Sequence, residues 1–247
     1  MFPCAILCGG LATRLRPVTE RIPKSLIPIN GEPFITHQLQ LLYANGVKHI
    51  VLCVGYLGEQ IQNYVGDGSA FGLTVAYSYD GDQLLGTGGA IRKALPLLDG
   101  PFFVLYGDSY LDCGYSDVVR GFATSGRRGL MTIHCNNGKY DTSNVQAVDG
   151  IILRYDKRNV TPEMKYIDYG LGVFQPSVFE EIQPNETIDL ASVYTKLLEK
   201  GELASYEVQN RFYEIGSSQG IRDLEQYLSN PREKFTIARE ASAAVKE

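Results

Sequence analysis

Cys4-Ala-Ile-Leu-Cys-Gly-Gly-Leu-Ala-Thr-Arg-Leu-Arg-Pro17 is an apolar run that stops at two glycines and continues as a basic segment. An uninterrupted apolar run ending in Gly9-Gly10 is the pattern of a strand buried on both faces as it enters a loop, which is how parallel sheets read. The motif then repeats. Pro33 to Ala44 carries apolar residues at Phe34, Ile35, Leu39, Leu42 and Tyr43, close to a helical stripe closed by Asn45-Gly46. His49–Val54 reads as a strand, Leu57–Val65 as a helix, Leu73–Tyr79 as a strand and Thr87–Leu98 as a helix. Phe102-Phe-Val-Leu-Tyr106 is the most apolar strand and runs directly into Gly107-Asp108. Such alternation implies right-handed crossovers and a parallel sheet with helices on both faces.

From about residue 125 the pattern changes. Leu130–Cys135, Asn144–Val148, Ile151–Tyr155 and Asp168–Phe174 are strand-like and separated by Asn-Gly and Asp-Gly turns. They are expected to join the first sheet as antiparallel strands, with helices near 189–200 and 219–229. The fold class expected is α/β, a three-layer α/β/α sandwich with a mixed, mainly parallel central sheet. One domain over 1–247 is the expectation: a first half to about 125, a second half over about 126–230, and a charged, alanine-rich tail over 231–247 read as a helix.

The 247 residues are 44% hydrophobic and 21% charged, ordinary globular proportions that need no disulfides or structural metal. A net charge of −5 provides no global field for a polyanion, so nucleic acid is not an expected partner. The five cysteines are scattered without C-x-x-C spacing, and Cys4, Cys8 and Cys53 lie in apolar runs where a thiol acts as a small core hydrophobe. No stretch has the basic start of a signal peptide or the length of a membrane span, so a cytoplasmic protein with no membrane partner is expected.

In an open parallel sheet, ligands bind at the carboxyl ends of the strands. The loop after the first strand has two glycines that let backbone N–H groups approach phosphate oxygens, then Arg14, Arg16 and Lys24. Arginine grips phosphate bidentately and lysine supplies a point charge. The loop has neither the G-x-G-x-x-G order of dinucleotide-binding proteins nor the G-K-[ST] ending of a P-loop.

The longer pattern G-G-x-x-T-R-L-x-P-x-T-x-x-x-P-K-x-L-x-P, from Gly9 to Pro28, resembles the signature of the sugar-phosphate nucleotidyltransferases. Ala12 stands where many members have glycine. The resemblance extends over most of the chain and implies a Rossmann-like sandwich of the nucleotide-diphospho-sugar transferase type. It also implies an Mg²⁺-dependent enzyme that joins the nucleoside monophosphate of an NTP to a small phosphorylated substrate. On it, Leu7, Gly9, Gly10, Ala12 and Thr13 bind the nucleotide, with Gly86, Thr87 and Gly88 of Leu85-Gly-Thr-Gly-Gly-Ala-Ile91 facing the base. Arg14 and Lys24 are the catalytic residues. Asp108, from the G-D pair, is the first metal ligand, and Glu214 of Phe212-Tyr-Glu-Ile-Gly-Ser217 stands where the family has an aspartate as the second. Lys157 holds the substrate phosphate, while Asn144, Asp156, Asp168 and Gly170 line the sugar pocket. Asp156 replaces the family's glutamate and Asp168 its asparagine.

Composition alone also allows plainer readings: turns, a surface hairpin, a glycine-rich helix start. Among relatives the chain looks most like compact heptose and mannose 1-phosphate guanylyltransferases, which makes GTP the first expectation for the donor. Cytidylyl and uridylyl transfer, a silent nucleotide-sugar-binding regulator and a nicotinamide-dependent oxidoreductase remain as alternatives, and a homo-oligomer is left open.

Overall fold

The computed structural model describes residues 1–230. In chain order its elements begin with β1 (Cys4–Leu7), the hairpin β2 (Pro28–Ile29) and β3 (Glu32–Pro33), and α1 (Phe34–Ala44). Then come β4 (His49–Val54), α2 (Gly58–Val65), β5 (Thr74–Tyr79), α3 (Gly86–Ala94) and β6 (Phe102–Tyr106). After the short β7 (Ser109–Tyr110) follow α4 (Tyr115–Ser125), β8 (Gly129–Cys135), β9 (Val145–Val148), β10 (Ile151–Tyr155) and β11 (Tyr166–Phe174). The chain closes with α5 (Ser177–Glu180), α6 (Leu190–Glu199), β12 (Leu203–Glu207), β13 (Tyr213–Glu214) and α7 (Ser218–Ser229).

Nine strands form one sheet whose main path runs β10-β9-β11-β6-β1-β4-β5, with β8 on β11 and β12 on β8. The four strands of the first half are parallel, Ala5 of β1 lying between Val51 and Val104. Alternate residues of a strand face opposite sides. Cys4 and Ile6 enter one core with Ile35, Leu39 and Ile61 from α1 and α2. Ala5 and Val104 enter the other with Ile91 of α3 and Val193 of α6. The chain moves outward from β1 to β4 to β5, then returns past β1 to β6. Right-handed crossovers therefore put α1 and α2 on one face and α3 on the other. This reversal is the topological switch point, where the carboxyl ends of β1 and β6 diverge and leave a crevice.

The mixed sheet is the one expected: β11 runs antiparallel to β6, and β8 antiparallel to β11. Three features differ from expectation. β12 is an additional strand, and it pairs with β8 in parallel rather than antiparallel fashion. The helix expected to reach Leu98 stops at Ala94 and tightens into a 3₁₀ turn, Leu95–Leu97, around Pro96, which has no N–H to continue the α-helical ladder. The helix α4 was not expected either. The tail over 231–247 lies outside the described residues.

A third apolar cluster sits beside the sheet. Leu224 and Leu228 of α7 pack on Ile29, Phe34, Tyr110 and Ile215. Ser217 starts α7 as an N-cap, its hydroxyl accepting the Gly220 N–H at 2.9 Å. This packing fixes β13 against β7.

Candidate active site

The crevice at the switch point is a cleft of about 400 Å³. One wall is the loop after β1. Gly9 lies so close to the Gly55 backbone that a Cβ on Gly55 would meet the Gly9 carbonyl at 2.9 Å, which is why two glycines face each other here. Ala12 has φ 48° and ψ 44°, left-handed values that suit glycine better, and its carbonyl accepts the Thr19 hydroxyl at 2.8 Å. Thr13–Leu15 makes one 3₁₀ turn and presents Arg14, which has no ion-pair partner among the described residues.

Opposite lies the turn after β6. Gly107 donates to the Leu7 carbonyl at 3.0 Å, and a Cβ there would come within 2.5 Å of that oxygen and 2.8 Å of Cys8 Sγ, so no side chain fits. The buried Gln38 of α1 grips the same turn, its Nε2 donating to the Tyr106 carbonyl at 3.0 Å and the Ser109 carbonyl at 2.8 Å. The turn carries Asp108. Lys24 reaches its Oδ2 at 2.6 Å, and the Ser109 hydroxyl donates to Oδ1 at 3.3 Å.

Glu214 arrives from far along the chain. β13 pairs antiparallel with β7, setting Glu214 opposite Ser109, and the Ile215 N–H donates to the Asp108 carbonyl at 3.0 Å. Glu214 Oε1 accepts the Ser217 hydroxyl at 2.7 Å and Oε2 accepts the Gly216 N–H. The missing side chain of Gly216 leaves room for two charges. Its Cβ position is 2.5 Å from Glu214 Oε2 and 2.9 Å from Lys24 Nζ. Asp108 and Glu214 stand on neighbouring rungs and both offer hard carboxylate oxygens; Asp108 lines the cleft with Lys24 against it, and Glu214 is not among the lining residues. Mg²⁺ needs only one or two carboxylates, the rest of its shell being water and substrate phosphate, so the residues present suit that ion. Among the described residues no group of three or more His, Cys, Asp or Glu gathers as a metal cage.

Leu7, Gly9, Gly10, Ala12, Thr13, Arg14, Lys24, Gly86, Thr87 and Asp108 all line the cleft. Gly88 does not. It is buried behind the cleft, its N–H bonded to the Ile188 carbonyl at 2.8 Å, and its place in the motif reflects close packing of α3 on the segment before α6. The Thr87 hydroxyl accepts the Leu190 N–H at 2.7 Å, so one of its lone pairs caps α6.

The second-half residues form a neighbouring group. Asp168 is buried, its side chain 2% exposed. It receives the Tyr155 hydroxyl at 3.2 Å and the Gly170 N–H at 3.1 Å, and pairs with Lys157 Nζ at 3.5 Å. Lys157 also lies over the ring of Tyr106, a cleft residue, at 5.2 Å. Burial works against the charged ammonium, but Asp168 and the Tyr106 hydroxyl outweigh it and hold the Lys157 pKa above the ordinary lysine value. Asn144 supports the group, its Oδ1 accepting the Asp168 N–H at 3.0 Å. Gly170 has φ 104° and lies against Tyr106 and Leu111. Asp156 is the exception. Its carboxylate accepts the N–H groups of Asn159 and Arg158, both at 2.8 Å, and these hold its pKa down at about 2. It caps its own turn instead of joining the group around Asp168, and none of Asn144, Asp156, Lys157, Asp168 and Gly170 is among the residues that line the cleft itself.

Several cleft residues were not expected from the sequence: Cys8, Ser25, Cys53, Asp80, Leu84 and Asp189. Asp80 follows a strand as Asp108 does, and that shared position was the available signal.

A family model described as "Nucleotidyl transferase" matches residues 4–230. The chain is 29% identical over 236 residues to the mannose-1-phosphate guanylyltransferase catalytic subunit beta of Xenopus tropicalis, covering 93% of this chain. It spans 65% of the length of that relative. It is 30% identical over 218 residues to the N-acetylmuramate alpha-1-phosphate uridylyltransferase of Neisseria meningitidis, covering 86% of this chain and 92% of that one. Among solved structures, HddC from Yersinia pseudotuberculosis complexed with GMP-PN superposes with a TM-score of 0.78 at 22% identity, covering 92% of this chain and 100% of the other.

Proposed function

The chain belongs to the nucleotidyl transferase family, and on that premise we propose that it transfers a nucleoside monophosphate from an NTP to a sugar 1-phosphate, releasing pyrophosphate. The observation that carries this reading is the Lys24–Asp108 pair beside the glycine-rich loop in the switch-point cleft, with Glu214 on the strand that pairs with the Asp108 turn. Relatives whose names state transfer to mannose 1-phosphate and N-acetylmuramate 1-phosphate support a sugar 1-phosphate as acceptor. GTP is the donor favoured by the guanylyltransferase relatives. We read residues 1–247 as one domain, with the donor held by the first half and the acceptor by the group around Lys157.

The chemistry asks little of the protein beyond alignment and charge. A phosphate oxygen of the acceptor forms a bond to the α-phosphorus, and the bond from that phosphorus to the bridging oxygen of the leaving pyrophosphate breaks. The acceptor phosphate is anionic at neutral pH, so no general base is required. Lys157 holds this phosphate, its charge secured by Asp168. Arg14 grips the departing β- and γ-phosphates, and the amides of Gly9 to Thr13 cradle them. Lys24 neutralises charge that builds at the reacting centre. Asp108 and Glu214 would hold Mg²⁺, which would supply Lewis-acid neutralisation of the phosphate oxygens.

Pyrophosphate release with Mg²⁺ tests the reading, using GTP, CTP, UTP, ATP and dTTP against mannose, heptose, N-acetylmuramate and glucose 1-phosphates and against non-sugar phosphates. Release with one pair is expected. Asp108→Ala and Lys24→Ala are each expected to lower turnover by about 10²–10³ with the fold intact. Turnover near the unmodified rate in either variant would overturn its assignment.

A further inference from the structure

Residues 10–22 carry Ala12, Thr13 and Arg14 to the cleft, yet little ties them to the rest of the molecule. The segment has no strand and no α-helix, only the 3₁₀ turns Thr13–Leu15 and Val18–Glu20. None of its residues belongs to the three apolar cores, and Leu11 and Val18 are exposed. Its backbone hydrogen bonds stay within it, from the Leu15 N–H on the Ala12 carbonyl at 3.1 Å to the Ile22 N–H on the Val18 carbonyl at 3.3 Å. The Thr19 hydroxyl on the Ala12 carbonyl and the Arg16–Glu20 ion pair are internal as well.

Two side chains reach the segment from outside. Tyr56, in the turn between β4 and α2, donates its hydroxyl to the Glu20 carbonyl at 3.3 Å. Gln60, in the first turn of α2, donates Nε2 to the Arg21 carbonyl at 3.0 Å. Among the described residues these are the only hydrogen bonds between residues 10–22 and the rest of the fold. The same turn meets the loop at its start, where Gly55 lies against Gly9. Between the two donors Leu57 has φ 56°, a left-handed value that disfavours a residue with a Cβ, so the chain tolerates strain where it turns toward the loop.

We propose that Tyr56 and Gln60 are positioning residues for nucleotidyl transfer. By holding the Glu20 and Arg21 carbonyls they keep residues 10–22 in the conformation that presents Arg14 and the neighbouring amides to the triphosphate. The inference rests on the reading of this loop as the triphosphate site, and it adds what holds the loop ready. A ligand that binds only the ordered loop loses apparent affinity in proportion to the fraction of molecules in which the loop is displaced.

The full chain with both Tyr56→Phe and Gln60→Met loses the two donors at nearly constant volume and without a change of charge. With Mg²⁺ and the NTP and acceptor that support turnover, its KM for the NTP is expected to rise roughly 3- to 30-fold, the combined worth of two ordinary hydrogen bonds. The acceptor KM and kcat should hold within about twofold, since the bound triphosphate orders the loop again. Trypsin reads the loop without any turnover. Cleavage after Arg14 and Arg21 is expected to quicken by at least the same factor as the KM, because both follow the displaced population. The melting curve should stay almost unmoved, as the loop adds nothing to the cores. A merely structural role would instead lower Tm and kcat together and leave the NTP KM alone. That pattern, or unchanged cleavage, or faster cleavage with an unchanged NTP KM, would overturn the inference while turnover by the unmodified protein keeps the proposed function standing. If the unmodified protein releases no pyrophosphate from any NTP, the function falls and the positioning role with it.

Discussion

Single residues here behave according to what surrounds their polar atoms, and the two aspartates at 156 and 168 show it. Both have a tyrosine within the two preceding residues, and both were read as pocket residues. The structure spends the Asp156 oxygens on the N–H groups of its own turn, while Asp168 is buried against Lys157, Tyr155 and Gly170. The first arrangement makes a pH prediction. With its pKa held at about 2, against 3.8 for the unperturbed group, Asp156 adds stability that is fully present above about pH 4 and is lost as pH falls through about 2. Carboxyl-carbon NMR is expected to follow its titration with a midpoint near 2. A midpoint near 4 would mean that the turn is not capped in solution. Motif matching made Lys24 and Asp108 legible, since both sit in dense local patterns. Asp80 was not, because Asp-Gly-Asp after a strand reads as an ordinary turn, and only the fold brings it beside Gly9.

Elements position these residues by close approach of backbone. Gly107 is the sharpest case, a position where an added methyl group would strike the Leu7 carbonyl and Cys8 Sγ. Gly107→Ala is therefore expected to cost about 1–3 kcal/mol in urea unfolding. It should also lower turnover by up to about 10²-fold by shifting Asp108, since small displacements at a reacting centre are expensive. A variant with unchanged stability and rate would show that the turn has slack the structure does not reveal. Strands and helices of the first half were legible because β1, β4 and β6 are buried on both faces and read as unbroken apolar runs. β12 was not, since Leu203-Ala-Ser-Tyr-Glu207 is only partly buried and its partner β8 lies about seventy residues earlier in sequence. In α4 the apolar positions Tyr115, Val118 and Phe122 do fall on one face, but the polar residues and Gly121 between them mask the stripe. The pairing of β7 with β13 is too short to carry any pattern, so the approach of the Glu214 strand to the Asp108 turn could come only from family resemblance or from the structure.

Across the whole molecule, the cleft joins the loop after β1, the turn after β6, the end of β5 and the start of α3, so a ligand in it touches segments that the chain order keeps apart. Such a ligand binds the folded chain alone and must stabilise it by mass action. At a concentration one hundred times its Kd the gain is about 2.7 kcal/mol, or roughly 5–10 °C in Tm for a chain of this size. Mg²⁺–GTP is expected to produce that rise in a thermal denaturation experiment, and a flat response at saturation by direct binding would contradict a site formed only on folding. A different outcome is expected for the ion by itself. The ammonium of Lys24 already sits 2.6 Å from Asp108, so the molecule carries its own resident counterion where the divalent one would come. Chelators should then leave the melting curve almost unmoved, and a metal screen scored by heat resistance would pass over the ion we propose for turnover.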